Sequence, residues 1–180
     1  NYGFDSRFQQ LESTANLSFN KNTYYNTSRY PDGGTNVLNN AIYIQLNYYG
    51  LKNIDLLLGT RYNINSLSSK FRDKTTIKLP FDEILVENKS LSNSVQMQYK
   101  ASNNFTFNAS ISNGFRNPNT DDIGKIFSKD DISVVLPNNQ LSPEKSFNFE
   151  VGLVANFNKL ITFQLQVFQT QIIDAIERRY

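Results

Sequence analysis

The sequence predicts an all-β protein in which about seven strands form an antiparallel up-and-down meander, as part of a transmembrane β-barrel of the outer-membrane type. Apolar and polar residues alternate with a period of two along most of the chain, which is typical of strands with two different faces. Short and long connections alternate, and the apolar sides of the six clearest strands carry no charged residue. A barrel with lipid on one side and water on the other shows both features.

The composition of the 180 residues narrows the functions that the chain can have. With 18 Lys and Arg against 16 Asp and Glu, the net charge of +2 gives no sign of a nucleic-acid partner. The chain has no Cys and no His, which excludes disulfides, thiolate nucleophiles, the usual zinc sites and histidine-based triads. No two acids stand out as a hydrolytic dyad, so we expect no enzyme, no cofactor and no bound metal.

The alternation defines the strands one after another. A weak first strand occupies residues 2–11, and six clear strands follow it, while no segment is predicted to be helical. The residues between the apolar ones are amides, hydroxyls and a few charges, chiefly Asp55, Arg61, Lys100 and Glu150. The apolar residues of the clear strands, in chain order, are Ile42, Ile44, Leu46 and Tyr48; Ile54, Leu56, Leu58, Tyr62 and Ile64; Leu91, Val95, Met97, Tyr99 and Ala101; Phe105, Phe107, Ala109 and Ile111; Phe147, Phe149, Val151, Leu153 and Ala155; and Ile161, Phe163, Leu165 and Val167.

The connections between these strands alternate in length. Those near residues 50–53, 102–104 and 158–159 are short and contain Gly, Asn or Ser, as tight hairpins require. The connections at about residues 13–36, 67–89 and 115–142 are long, and long connections are usually functional. All the long ones therefore emerge at the same end of the sheet, like the extracellular loops of outer-membrane barrels.

Alternation alone also fits a soluble antiparallel β-sandwich that acts as a binding or adhesion module. The uncharged apolar faces, the amide-rich polar faces and the aromatic residues near strand ends favour the barrel. These aromatic residues are Tyr48, Tyr49, Tyr62, Phe105 and Phe157. A passive porin has the same kind of wall and is a second alternative.

The number of strands is odd, whereas single-chain bacterial barrels close with an even number of at least eight. An open sheet would leave two edges unpaired in lipid. The chain also begins without a secretory signal segment. We therefore expect residues 1–180 to be a single segment of a larger barrel, with the remaining strands supplied by a longer protein.

Two of the long connections contain recognisable turn and anchor residues. Residues 29–34 (Arg-Tyr-Pro-Asp-Gly-Gly) close the first long connection and favour a tight turn. The Asn-Pro pair at 117–118 ends a strand, because Pro cannot donate to the ladder. Arg116 is placed to pair with Asp121 or Asp122 and so to hold the third long connection against the wall.

Other features of the third connection have simpler interpretations. The acidic pairs at residues 121–122 and 130–131 lack the spacing of a calcium-binding loop. Pro143 and Glu144 lead into a strand, at a position where Pro is tolerated. We expect the acidic pairs to be solvated surface charges.

Several motifs follow one another in a fixed order. They are Gly114-Phe115-Arg116, Pro118-Asn119, Asp122, Gly124-Lys125, Val135, Pro137-Asn138, Leu141, Pro143-Glu144, Asn148, Glu150 and Gly152, preceded by Arg29-Tyr30-Pro31-Asp32-Gly33 and by Leu58-Gly59, Arg61-Tyr62. This series resembles the barrel region of TonB-dependent outer-membrane receptors, particularly in the Bacteroidota-like branch. Asn117 stands where Ala is commoner and Gly34 where Ser is commoner. The family's plug domain, TonB-contacting box and terminal aromatic strand have no counterpart in these residues.

The resemblance implies a parent protein with a plugged barrel of about 22 strands, in the outer membrane of a Gram-negative bacterium. Such receptors import scarce nutrients (siderophore-iron, haem, cobalamin or glycans) with energy relayed by TonB, ExbB and ExbD. The expected partners are therefore outer-membrane lipid, the parent's own plug, the TonB-ExbB-ExbD complex, and a small-molecule or glycan ligand.

Residue types and positions add candidate roles that are compatible with this resemblance. Arg61 and Glu150 are expected to face the lumen and to pair with the plug or with neighbouring strands. The candidate ligand contacts in the outer loops are Tyr24, Tyr25, Tyr30 and Phe115. The expected loop anchors are Arg29, Tyr30, Pro31, Asp32, Gly33, Gly114, Phe115, Arg116, Pro118, Asn119, Asp122, Pro143 and Glu144.

Overall fold

The computed structural model describes residues 1–26, 28–72, 79–123, 127–128, 134–135, 138, 140–157 and 160–177. Its elements, in chain order, are β1 (Tyr2–Leu11), β2 (Ala15–Phe19), β3 (Asn22–Asn26), β4 (Thr35–Leu51), β5 (Ile54–Lys70), β6 (Glu83–Lys100), β7 (Phe105–Arg116), α1 (Thr120–Ile123), β8 (Phe127–Ser128), β9 (Val134–Val135), β10 (Glu144–Phe157) and β11 (Ile161–Ile173). Among the described residues, no helix has the length and apolar character needed to cross a membrane.

Seven of the strands form one antiparallel sheet in the order β1-β4-β5-β6-β7-β10-β11. Each of these strands pairs with the next one along the chain, which confirms the predicted up-and-down meander. The pairs β2–β3 and β8–β9 form separate ribbons within the first and third long connections. Because the main strands lie in a single sheet, the alternation does not come from the two packed sheets of a sandwich.

One face of the sheet, which we call the outer face, carries the predicted apolar residues. They are exposed: Leu165 and Val167 on β11 are 53% and 59% accessible. The uncharged apolar part of this face covers residues 54–64 of β5, 91–99 of β6 and 147–157 of β10. We call it the apolar band, and its length is close to the 9–11 residues that a tilted strand needs to span a bilayer.

The short connections confirm the expected hairpins where they are described. Residues 52–53 join β4 to β5, and Asn53 adopts a φ of 62°, a left-handed conformation that Asn tolerates better than most residues. Residues 101–104 join β6 to β7, and the hydroxyl of Ser102 accepts from the N–H of Phe105 at 3.2 Å. The predicted turn at residues 158–159 lies outside the described residues.

The long connections contain more regular structure than the sequence predicts. The predicted long connection at residues 67–89 is wrong in its bounds, because β5 continues to Lys70 and pairs there with Glu83 of β6. The first long connection contains the hairpin β2–β3, and the third contains the short helix α1. The prediction that no segment is helical is therefore also wrong.

The added length of β5 and β6 has the opposite polarity to the apolar band. Leu67, Ile84 and Val86 point to the inner face and are at most 8% accessible. The outer face at this level carries Glu87 and Lys89 instead. The sheet therefore has an apolar inner face at its loop end, where the sequence predicts a long connection.

The loops bury this apolar inner face. The cluster consists of Leu67, Phe71, Leu79, Ile84, Val86 and Ile123, with Val37, Phe81 and Leu141 packed against it. We call it the loop core. Each such side chain contributes about 1.5–3 kcal/mol when it is fully buried, so the loop core fixes parts of the second and third long connections against β5 and β6.

Candidate functional site at the loop end of the sheet

The turn at residues 29–34 fastens the first long connection to the end of β5. The N–H of Gly34 donates to the carbonyl oxygen of Pro31 at 3.1 Å, which closes a β-turn. The N–H of Gly33 then donates to the Lys70 carbonyl oxygen, and the N–H of Lys70 donates to that of Gly34, both at 2.9 Å. Asp32 adds a further bond, since its Oδ1 accepts from the backbone N–H of Arg72 at 2.8 Å.

Two glycines are required in this turn. A Cβ at Gly33 would lie 2.7 Å from the carbonyl oxygen of Lys70, which is too close for any side chain. Gly34 has a φ of 91°, a conformation that residues with a Cβ rarely adopt. Pro31 is fully buried beside them, whereas Arg29 is exposed. The turn is therefore built for close backbone approach, as the motif predicts.

Tyr30 connects the first and third long connections. Its hydroxyl donates to Oδ1 of Asp121 at 2.9 Å. This hydrogen bond raises the pKa of the Tyr30 phenol above its usual value, because ionisation would place two negative charges side by side. Tyr24, on the hairpin β2–β3, is 52% accessible; the backbone of Tyr25 lies in β3, and its side chain is outside the described residues.

Arg116 lies between two acids at the loop end of β7 and β10. Its Nη1 donates to Oδ2 of Asp122 at 2.7 Å, and its Nε donates to Oε2 of Glu144, its direct partner across the sheet. The other carboxylate oxygen of Glu144 accepts from the backbone N–H of Ile176 at 2.6 Å. These contacts raise the pKa of Arg116 and lower the pKa of Glu144.

A reciprocal cap orders the start of the third long connection. The N–H of Asn119 donates to Oδ2 of Asp122 at 3.0 Å, and the N–H of Asp122 donates to Oδ1 of Asn119 at 3.1 Å. Pro118 is buried next to this cap. The helical turn that follows places Ile123 in the loop core, where it is 0% accessible. Arg116, Pro118, Asn119 and the two acids thus form one anchor for the loop.

Phe115 lies apart from this anchor. It pairs with Lys145 on the outer face, whereas Arg116 and Glu144 pair on the inner face. Gly114 also points to the inner face, opposite Ser146. The structure therefore does not bring Phe115 together with Tyr24 or Tyr30, although all were predicted as ligand contacts.

The inner face of the apolar band is a polar wall, and Arg61 lies on it. Its Nη2 contacts Oδ2 of Asp5 on β1 at 2.8 Å, and its guanidinium lies 5.9 Å from the ring centre of Tyr43. The groove around Arg61 has a volume of about 430 Å³ and is also lined by Ser92 and Gln96. Sequence patterning identified the face but not the partner, since Asp5 is 56 positions away.

Glu150 lies in a second groove, nearer the short turns. This groove of about 620 Å³ also contains Tyr49, Asp55 and Gln98. Asp55 is paired with Lys100 at 2.7 Å. Within the described part of the chain, Glu150 has no hydrogen-bond or ion-pair partner, so its carboxylate is available to a group that approaches the inner face.

Asparagines separate the polar wall from the loop core, and no sequence pattern predicts the contacts between them. Asn63 donates to Oδ1 of Asn39, and Asn117 of the third connection donates to Oδ1 of Asn63 at 3.2 Å. Asn65 and Asn88 are direct partners across β5 and β6 and are buried. This amide layer positions the third connection over the inner face.

The site has the chemistry of a binding surface. Among the residues that the structure describes, no group of three or more acidic residues is arranged to hold a metal ion. Its functional groups are phenols, amides and ion-paired carboxylates, which recognise a ligand by stacking and hydrogen bonding.

Comparison with known proteins is informative at the level of the family. A family model described as "TonB dependent receptor-like, beta-barrel" matches residues 1–180. No curated protein matches the chain.

Proposed function

The chain belongs to the β-barrel family of TonB-dependent receptors, and on this premise we propose that it forms part of the wall of a receptor that imports a scarce nutrient. The family is one of outer-membrane transporters and not of enzymes. The nutrient classes proposed are siderophore-iron, haem, cobalamin and glycans. The long connections would then face the outside of the cell and the short turns the periplasm.

Two features together support this proposal. The outer face has an apolar band, and the long connections lie at one end of the sheet, where hydrogen bonds hold them. The band stays in register across the sheet, and all long connections leave at the same end. Two of them are joined there by Tyr30 and Asp121. A wall with loops held over its inner face is suited to capture a ligand before it enters the lumen.

The remaining barrel strands would come from the rest of a longer protein. Strands β1 and β11 are the two edges of the described sheet. Each unpaired backbone group in hydrocarbon costs several kcal/mol. The two edges therefore need to pair with further strands. We accordingly propose residues 1–180 as a single segment of the barrel.

We propose that the first long connection supplies ligand contacts through Tyr24 and Tyr30. Tyr24 is exposed on its hairpin, and Tyr30 is held by Asp121. Phenol rings give flat contact area and a hydrogen-bonding hydroxyl. Phe115 is left out of this proposal because it lies on the outer face.

On the lumen side we propose that Glu150 contacts the plug. Its carboxylate has no partner within the described residues and shares its groove with Gln98 and Asn108. Arg61, which is held by Asp5, adds positive charge to the same face of the sheet. The parent's plug and the TonB-ExbB-ExbD complex are the partners that this arrangement needs.

Nutrient uptake by intact cells tests the proposal. Cells that express the full-length receptor are compared with cells that lack it, with each of the nutrient classes supplied in turn at limiting concentration. We expect one class to restore growth and the effect to disappear when TonB is deleted. Growth that persists without TonB would instead support a passive porin, and no effect of any class would contradict import of these nutrients.

A further inference from the structure

Among the described strands of the sheet, β6 and β7 separate from each other before they reach their loop ends. Strands β6 and β7 pair only as far as Ser94 and Ser112, whereas β5–β6 and β7–β10 stay paired to their loop ends. The side chain of Asn113 bridges the next step: it accepts from the N–H of Asn93 and donates to the carbonyl oxygen of Leu91, both at 2.8 Å. Beyond this bridge, no hydrogen bond joins β6 to β7 among the described residues.

The gap that results, which we call the β6–β7 cleft, is a cavity of about 430 Å³ at the outer face. Lys89 and Lys145 line it, and none of the described residues that line it is acidic. Its apolar lining consists of Leu91, Phe115, Pro143, Phe147 and Ile173. The cleft therefore combines an apolar surface with two positive charges.

The third long connection crosses the inner side of this cleft. Asn117 leaves the end of β7 and donates to Asn63 on β5. Ile123 then packs into the loop core beside Leu67 and Ile84. A molecule in the cleft would consequently approach from the outer face, which is the side of the membrane.

The cleft lies at the upper boundary of the apolar band. Leu91 and Phe147 are the last residues of the band on β6 and β10, and Lys89 and Lys145 are the next residues on the outer face. At this level the hydrocarbon of a bilayer gives way to headgroups. Lysines at such a boundary reach their charge towards the headgroups while the stem stays in apolar surroundings.

Both lysines have acidic neighbours that a stronger anion can replace. Lys89 lies 3.0 Å from Glu87, and Lys145 lies 3.9 Å from Asp174. The side chains are 54–64% exposed, and exposed ion pairs contribute little to stability. A phosphate carries more charge than a carboxylate and can accept from both lysines.

We propose that the β6–β7 cleft binds a lipid of the outer leaflet whose headgroup carries phosphate. The phosphate lies between Lys89 and Lys145, and an acyl chain contacts Leu91, Phe115 and Phe147. Basic groups at a membrane surface attract anionic headgroups. This site is separate from the import function, although it shares the orientation in which the long connections face outward.

Native mass spectrometry of the full-length receptor in detergent tests the site, with diphosphorylated lipid A as the probe and its dephosphorylated form for comparison. We expect the double variant Lys89→Gln/Lys145→Gln to retain roughly tenfold less of the diphosphorylated lipid. Lys70→Gln is the matched control, because Lys70 is also an outer-face lysine paired with an acid but does not line the cleft. Phe115→Ala should weaken retention of both lipid forms.

Every result of the lipid-retention experiment either supports or overturns the proposed lipid site. Equal retention by the double variant and the unmodified receptor would overturn the proposal, and so would an equal loss in Lys70→Gln, which would indicate general surface charge. Displacement of the lipid by millimolar inorganic phosphate would overturn the lipid assignment in favour of the anion alone. If the double variant does not insert, the single variants should each show a few-fold loss. Uptake of the nutrient should stay unchanged, so this test fails or succeeds independently of the import function.

Discussion

At the scale of single residues, the pair Arg116 and Glu144 determines how firmly the third long connection is held. Glu144 accepts from the guanidinium of Arg116 and from the backbone N–H of Ile176. Both contacts favour the ionised carboxylate, and therefore the pKa of Glu144 lies below its usual value. The strength of the anchor is thus linked to pH.

Acidification is expected to loosen this anchor. A carboxyl with a lowered folded pKa stabilises the folded loop above its unfolded pKa of about 4.3, and this stabilisation is lost as the pH falls through the folded value. Amide exchange of residues 117–123, followed by mass spectrometry from about pH 6 to about pH 3 and corrected for the intrinsic rate, should report the loosening. Glu144→Gln should exchange a few-fold faster at about pH 6 and show a smaller acid step.

The control for this pH experiment is Glu87→Gln. Glu87 pairs with Lys89 on the outer face, away from the third connection. This variant should keep the acid step of the unmodified chain. A full acid step in Glu144→Gln would contradict the role assigned to Glu144.

At this scale, the sequence predicts on which face of the sheet a side chain lies, but it does not predict which residue that side chain contacts. The period of two places Arg61 and Glu150 on the inner face, because neighbouring residues of a strand point to opposite sides. The same rule places Phe115 and Arg116 on different faces. The choice of Asp122 over Asp121 as the partner of Arg116 depends on the helical turn of α1, for which the sequence shows no helical period.

At the scale of elements, the loop ends of β5 and β6 form a small folded unit outside the apolar band. Ile84 is 1% accessible in the loop core, and Leu85 next to it is 69% accessible on the outer face. We expect Ile84→Ala to destabilise the loop core by about 2–4 kcal/mol and Leu85→Ala by less than about 0.5 kcal/mol. Local unfolding free energies from amide exchange of residues 66–70 measure both, and similar values for the two variants would contradict the loop core.

The apolar band also predicts that substitutions at two neighbouring positions have different effects on membrane insertion. Val95 lies on the outer face near the middle of the band, and Gln96 lies on the inner face of the same strand. Arg at the lipid face near the bilayer midplane costs about 2–4 kcal/mol, so Val95→Arg should lower the yield of correctly inserted receptor. Gln96→Arg should insert normally. Equal insertion of the two variants, judged by resistance to denaturation in detergent, would contradict the assignment of the faces.

The error in the bounds of β5 and β6 has a physical cause. A strand is recognised by apolar residues on a constant face, but here the apolar face changes sides between Ile64 and Leu67. Asn63 and Asn65 occupy the transition on the inner face. An alternation that is interrupted in this way predicts an irregular loop. The polarity of a strand end depends on which loop residues pack against it, and the strand's own pattern does not show this.

At the scale of the whole molecule, the inner wall and the plug are expected to act together. Arg61→Ala removes the contact to Asp5 and a positive charge from the lumen. We expect the plug to dock less firmly and the barrel to insert normally, so that vesicles with the full-length variant admit a small dye more readily. Asp5→Asn is the control, since it removes the same ion pair but keeps the charge of Arg61. Unchanged permeability in Arg61→Ala, or an equal increase in both variants, would contradict plug docking by Arg61.

The sequence predicts the architecture of the sheet, but it does not predict the contacts between the loops. The meander and its odd number of strands follow from alternation and turn residues alone. The connections between loops join residues such as Tyr30 and Asp121, which are 91 positions apart, and no local pattern encodes them. The β6–β7 cleft is likewise set by where pairing stops, which two continuous alternating strands do not reveal.

The change of polarity along β5 and β6 determines how deeply the sheet lies in the membrane. If the sheet moved along the membrane normal, Glu87 and Lys89 would enter hydrocarbon, where the cost of a lysine rises from about 0–1 kcal/mol near the interface to about 2–4 kcal/mol at the midplane. In the other direction, the apolar band would rise into water. These costs favour one immersion depth. The seven residue steps from Leu91 to Ile84 lift the loop core roughly 15–20 Å above the lipid at ordinary strand rise and tilt. A ligand diffusing over the cell would meet this raised platform before it meets the bilayer.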